Sequence, residues 1–218
     1  MKRLSMSNLQ TKLPTDTWVV ATWDEYIQII EKPAYENARG YYHNGQLRIE
    51  MTPVGPDHAS DNGIISFAVS LFASIKGIPL NGLINCSYRK VGVSECQPDA
   101  SYYIGESTQF VPQGTSVVDL DRNSPPDLVI EVASTSFADD IGRKRLLYED
   151  LGIAEYWIVD VANTQIIAFA IADGGSRRIT QSQALPGLAI SLLQEALRRS
   201  RQTDQAQVGA WLITQFQQ

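Results

Sequence analysis

Two phrases of the chain place carboxylates at the edges of strand-like stretches: Gln97-Pro98-Asp99, and Pro125-Pro126-Asp127-Leu128-Val129-Ile130-Glu131-Val132. The stretch that follows reads as a helix and carries Lys144. Two acids and an amine brought together form the set that metal-dependent hydrolysis of a phosphodiester requires. Oxygen ligands suit Mg²⁺ or Mn²⁺, which keep waters and bind substrate phosphate as well. Such a cation lowers the pKa of bound water, and an amine offsets charge that builds on the phosphate. An acid inside so apolar a run must be paired, protonated or bound to a cation. The competing reading pairs Glu131 with an arginine and makes Asp99 a turn cap.

Along the second phrase Asp127, Val129 and Glu131 share one face by strand alternation. Ala133, two beyond Glu131, would share it too, and so offers no lysine there. Asp140, Lys144 and Tyr148 follow at four-residue spacing and therefore share one helical face. From that face Lys144 could reach the carboxylates; otherwise it is a solvent-facing member of Arg143-Lys144-Arg145. His58, after Gly55-Pro56-Asp57, stands where a long helix begins. It could bind phosphate, hold a metal or move a proton, or simply cap the helix. Glu50 closes a strand in Arg48-Ile49-Glu50-Met51, with a cross-strand ion pair as its alternative. His43 receives no role, and Trp157 reads as core.

The elements that would position these groups are legible from patterning. Thr22 with Glu25 three residues on is a capping-box start for a helix ending near residue 31, before Pro33. Asn44-Gly45 between β-prone runs predicts a hairpin. Apolar residues from Ile64 to Ile75 recur at helical spacing, which predicts a helix over 57–76 closed by Gly77. Strands are predicted at 83–89 and 100–104, and a polar loop around Pro112, Gly114 and 119–124. The continuous apolar run at 128–132 marks a strand buried on both faces. A helix over 137–151 follows, then strands at 155–161 and 165–171 joined by a tight turn, and a short strand near 178–183. The tail, 191–218, reads as two helical pieces. This order predicts one α/β domain with a mixed central sheet. The boundaries drawn are a leader at 1–20, the domain at 21–195 and a helical tail at 196–218. No Gly-rich phosphate loop follows any strand, which removes a P-loop or Rossmann reading.

Composition sets the bounds. The chain has 218 residues, 44% hydrophobic and 19% charged, in the ordinary range of a water-soluble domain. No apolar run is long enough to span a bilayer, and Met1-Lys2-Arg3-Leu4-Ser5 is not followed by the apolar stretch of a secretory signal. Cys86 and Cys96 have neither metal nor redox spacing and read as reduced thiols of a cytoplasmic protein. The net charge of -6 opposes strong standing affinity for nucleic acid, which rests on Lys and Arg. Local basic groups exist at Arg143-Lys144-Arg145, Arg177-Arg178 and Arg198-Arg199-Ser200-Arg201.

In order, Asn44-Gly45 before Glu50-Met51, His58 opening a helix, Gln97-Pro98-Asp99, Pro126-Asp127-Leu128-Val129-Ile130-Glu131-Val132-Ala133-Ser134, the Asp140, Lys144, Tyr148 set and Gly152-Ile153-Ala154-Glu155-Tyr156-Trp157-Ile158-Val159-Asp160 resemble the Uma-type restriction endonuclease family. That family lies within the PD-(D/E)XK nuclease superfamily, and the similarity covers about residues 20–195. The resemblance implies a restriction-endonuclease-like α/β (α+β) core: a mixed central sheet flanked by helices, with an N-terminal helix and β-hairpin. It matches Asp99 to the family's PD aspartate, Glu131 to its second metal-binding acid, and Lys144 to the lysine supplied from the next helix where Ala133 cannot serve. His58, Glu50 and Asp127 are accessory candidates. Asn44 departs from the family, many members of which carry Asp there. The implied activity is hydrolysis of DNA phosphodiester bonds by metal-activated water. Mg²⁺, or Mn²⁺, would sit on Asp99, Glu131 and the Val132 carbonyl, in a homodimer if the superfamily's habit holds. The alternatives are a non-catalytic, dimeric interaction module that keeps the fold, and a hydrolase of another phosphate ester.

Overall fold

The computed structural model describes residues 14–51 and 54–218. The basic N-terminal phrase and most of the 1–20 leader lie outside the described residues. The described chain divides into two compact units that it enters and leaves more than once. One holds the described residues up to Met51, with Ser87–Gln97 and Gly114–Asn123. The other holds Val54–Cys86, Pro98–Gln113 and Ser124–Gln218. Among the described residues no helix is long and apolar enough to cross a membrane.

The first unit carries β1 (Val19–Val20), α1 (Trp23–Ile30), β2 (Arg39–His43) and β3 (Gln46–Glu50). The capping box is present: Thr22 Oγ1 accepts from the Glu25 N–H at 3.2 Å, and Glu25 accepts from the Thr22 N–H at 2.7 Å. Asn44 and Gly45 both take positive φ, 48° and 70°. That is the pairing a two-residue primed turn needs, and it fixes the register His43↔Gln46. The sheet runs β1-β3-β2-β6-β5-β8, where β5 is Tyr88–Lys90, β6 is Ser94–Cys96 and β8 is Val118–Asp119. Tyr26, Ile29, Leu47 and Ile49 build its core.

The second unit carries the sheet β12-β11-β10-β9-β7-β4. Its strands are β4 (Leu80–Ile84), β7 (Ala100–Ile104), β9 (Leu128–Ala133), β10 (Glu155–Asp160), β11 (Gln165–Ala172) and β12 (Gly175–Ile179). β9 and β10 run parallel and the other neighbours antiparallel. Every residue of β9 and β10 is buried, as the apolar runs require. One sheet face packs on α2 (Pro56–Lys76), α5 (Ile190–Ser200) and α6 (Gln205–Phe216). Their shared core joins Ile64, Phe72, Ile130, Trp157, Leu197 and Phe216. Gly77 ends α2 in the left-handed region, φ 66°. α6 sinks Val208, Leu212 and Phe216 into that core, so the tail drawn at 196–218 is part of the unit's interior.

Three local readings need correction. The strand predicted at 83–89 is two strands of different sheets: Asn85, at φ 54°, bends the chain between β4 and β5. The helix predicted over 137–151 is interrupted. α3 (Phe137–Asp139) passes through a π-turn at Asp140–Lys144 into α4 (Arg145–Asp150). The short strand near 178–183 sits earlier, as β12, because the turn at Asp173-Gly174 starts it sooner.

Candidate active site

All the groups described next belong to the second unit. β7 and β9 pair antiparallel through Ala100↔Ile130. One step further, Asp99 stands across from Glu131. Residues opposite each other in such a pair face the same way, so the two carboxylates share the sheet face opposite the Ile130 side. The ladder stops there because a side chain takes over: Asp99 Oδ2 accepts from the Val132 N–H at 2.7 Å. The Val132 carbonyl points to the same edge as its N–H, which turns it toward Asp99. Asp99 Oδ1 lies 3.1 Å from His58 Nε2, at the start of α2. Asp99 thus also does the capping work that the competing reading gave it, on a strand end rather than a turn.

Glu131 meets a tyrosine and a lysine. Its Oε1 accepts from the Tyr148 hydroxyl at 2.6 Å and lies 3.6 Å from Lys144 Nζ. Lys144 is 1% exposed, so it is not the solvent-facing lysine of a basic triplet. Its second carboxylate neighbour is Asp140, at 3.0 Å, and Asp140 Oδ2 in turn accepts from Ser136 Oγ at 2.5 Å. The π-turn holds this set. A wider turn brings residues four apart closer to eclipsed, and single π-turns recur at functional sites. Tyr156 on β10 braces it, donating to the Asp140 carbonyl at 3.1 Å while its ring lies 4.8 Å from that of Tyr148.

The accessory candidates part company. His58 joins the site through Asp99. Asp127 is committed elsewhere: its carboxylate accepts from the Ile104 N–H at 2.7 Å and from Ser107 Oγ at 3.0 Å, securing the far end of β7. Glu50 belongs to the first unit, where it accepts from Arg48 Nε at 2.7 Å on its own strand. Tyr148 and Asp140 position Glu131 and Lys144. Their four-residue spacing was the signal that could have placed them among the candidates.

The donors fit a hard divalent cation. They are two carboxylates and a carbonyl, all oxygen, with the carboxylates oriented by hydrogen bonds of their own. Three buried carboxylates, Asp99, Glu131 and Asp140, gather around His58 and the buried Lys144. Among the described residues no three His, Cys, Asp or Glu side chains form a ready-made metal cluster, so a carbonyl and water would complete the coordination.

This is a mixed α/β, nuclease-like fold with an acid-and-lysine centre. The chain belongs to the Uma2 family, described as "putative restriction endonuclease", whose model matches residues 23–206. A crystal structure described as that of a "putative nuclease belonging to DUF820", from Anabaena variabilis, is 18% identical at a TM-score of 0.54. It covers 88% of this chain and 98% of its own. No curated protein matches the chain.

Proposed function

We propose that the chain is a metal-dependent endonuclease that hydrolyses DNA phosphodiester bonds, using Mg²⁺ or Mn²⁺ held by Asp99, Glu131 and the Val132 carbonyl. The observation that carries the reading is the buried Glu131–Lys144 contact opposite Asp99. Bound there, the cation supplies Lewis-acid stabilisation and a water more acidic than bulk. Lys144, anchored by Asp140, presents fixed positive charge to the phosphate as negative charge builds on it, without reorganisation at the moment of reaction. Tyr148 holds Glu131 in one rotamer, and His58 holds Asp99. His58 is also the group that could pass a proton to solvent. Family membership supports DNA as substrate, and thiols at Cys86 and Cys96 fit action in the cytoplasm. The net charge of -6 implies weak, salt-sensitive DNA binding by the isolated chain.

The test is nicking of supercoiled plasmid with Mg²⁺ or Mn²⁺, run beside Glu131→Ala and Lys144→Ala, with Mn²⁺ binding followed by calorimetry. The reading expects metal-dependent nicking that both variants lose, and Mn²⁺ binding that Glu131→Ala loses. Equal nicking by all three proteins means a contaminant and overturns it. So does Mn²⁺ binding without nicking, which would favour an interaction module or another phosphate ester.

A further inference from the structure

β4 is the edge strand of the second unit's sheet. Its ladder with β7 fixes which backbone groups point outward. Asn85 donates to the Asp99 carbonyl, and Gly105 donates to that of Pro79. The odd-numbered residues of β4 therefore bond inward, because antiparallel pairs alternate. The N–H and C=O groups of Leu80, Gly82 and Ile84 point away from β7, and they have no hydrogen-bond partner among the described residues. The strand carries no charge, proline or bulge within Leu80–Ile84, the usual guards of an exposed edge.

Beside this edge runs a groove of about 520 Å³ between β4 and α2. Ser66, Phe67, Ser70 and Ser74 of α2 form one wall, and none of its lining residues is charged. Phe67 is 45% and Ile84 52% exposed. Gly82 is required where it stands, since a Cβ would meet the Tyr102 ring at 2.8 Å. The close fit also leaves the middle of the edge bare.

We infer that β4 is the seam of a homodimer, in which a second copy of the chain pairs its own β4 antiparallel to this one about Gly82. The outward-pointing set, Leu80, Gly82 and Ile84, is symmetric about its middle member. A two-fold axis through Gly82 sets Gly82 against Gly82, and Leu80 against Ile84 on either side. All three pairs are then of the hydrogen-bonded kind, each exchanging two bonds. No other register centred in the strand satisfies every outward group. In a continuous sheet opposing residues face the same way, so the partner's Leu80 and Ile84 fall on the groove side, next to Phe67. Uncharged strand meets uncharged groove. The contact is isologous and closes on itself. This inference does not depend on the catalytic reading.

Sedimentation velocity and light scattering of the full chain test it. The wild type should run at twice the chain mass at micromolar concentration. Ile84→Pro removes an outward N–H while leaving the inner ladder intact. Ile84→Lys sets a charge against Leu80. Ile84→Pro should weaken dimerisation roughly ten- to hundredfold, the worth of two hydrogen bonds at the seam, and Ile84→Lys should weaken it by setting an unpaired charge there. Leu146→Lys, at an exposed position on another element, should change nothing. Circular dichroism checks that the variants are folded, and Phe67→Lys repeats the test from the helix wall if either is not. A monomeric wild type, or a dimer indifferent to Ile84 and Phe67 changes, overturns the inference.

Discussion

Replacing Lys144 with Met keeps the volume of the side chain and deletes its charge. The ammonium is 1% exposed and lies 3.0 Å from Asp140 and 3.6 Å from Glu131. At an effective dielectric near 20, each contact is worth a gross attraction of about 5 kcal/mol, most of it offset by desolvation. What the deletion exposes is the other side of that balance, two buried carboxylates without their cation. The expected loss is about 3–5 kcal/mol. In a chain of this size that lowers the melting temperature by roughly 10 °C. Calorimetric melts and urea titrations measure it directly. If Glu131, with Asp99, takes Mg²⁺, the variant should recover stability on adding the ion, and more steeply than the wild type, because binding to the native state alone stabilises by mass action. A variant within about 0.5 kcal/mol of wild type, the range of surface substitutions, would refute the buried-ammonium reasoning, and an absent Mg²⁺ response would refute the metal part alone.

Other perturbations test separate parts of the structure. Tyr148→Phe removes a donor to a buried carboxylate and should cost about 1.5–3 kcal/mol in urea titrations; a neutral result would place the hydroxyl elsewhere. Asp61→Asn breaks a bidentate pair with Arg201, at 2.6 and 2.7 Å, in which Asp61 is fully buried and Arg201 partly exposed. Solvent access to Arg201 trims the loss to about 2–3 kcal/mol, read by thermal melts. Thr22→Ala should cost about 1 kcal/mol by removing the helix cap, and Thr22→Ser should cost less. Burial holds the Tyr102 hydroxyl above the ordinary phenol value. The native chain therefore keeps a proton that the unfolded chain releases above about pH 10. Stability is intact below that pH and falls as pH rises past it, and Tyr102→Phe should make the alkaline limb of a pH-dependent melt shallower.

What the sequence discloses here is whatever is encoded within a few neighbouring residues. The Thr22–Glu25 box, the Asn44-Gly45 turn and the Gly77 cap each depend on local backbone chemistry, and each stands where it was read. The buried run at 128–132 is equally plain, because Leu128, Val129, Ile130 and Val132 leave neither face of the strand polar enough for water. Lys144 was identified as a candidate by helical spacing together with a family resemblance, and neither cue revealed the π-turn that aims it. That turn answers to Tyr156 on a distant strand, and no local pattern records such a partner. The stretch 83–89 failed for a related reason: β-prone residues continue through the bend at Asn85, while the hydrogen bonds on its two sides go to different sheets. Glu50 and Asp127 look like candidates by type and phrase. Only the folded chain discloses their contacts, Arg48 for one and the end of β7 for the other.

The Asp61–Arg201 clasp joins positions 140 residues apart, and the ring of Phe216 rests edge-on against Phe72 at 5.1 Å. Helix α2 is thus synthesised early and left with a bare apolar flank until the last turns of the chain arrive to cover it. Contacts of such long sequence separation slow folding and prolong exposure to aggregation. On a ribosome that interval lasts for nearly the whole length of the second unit, so a nascent chain of this kind would lean on holdase chaperones, and a premature stop anywhere before α6 would release a molecule with its interior open.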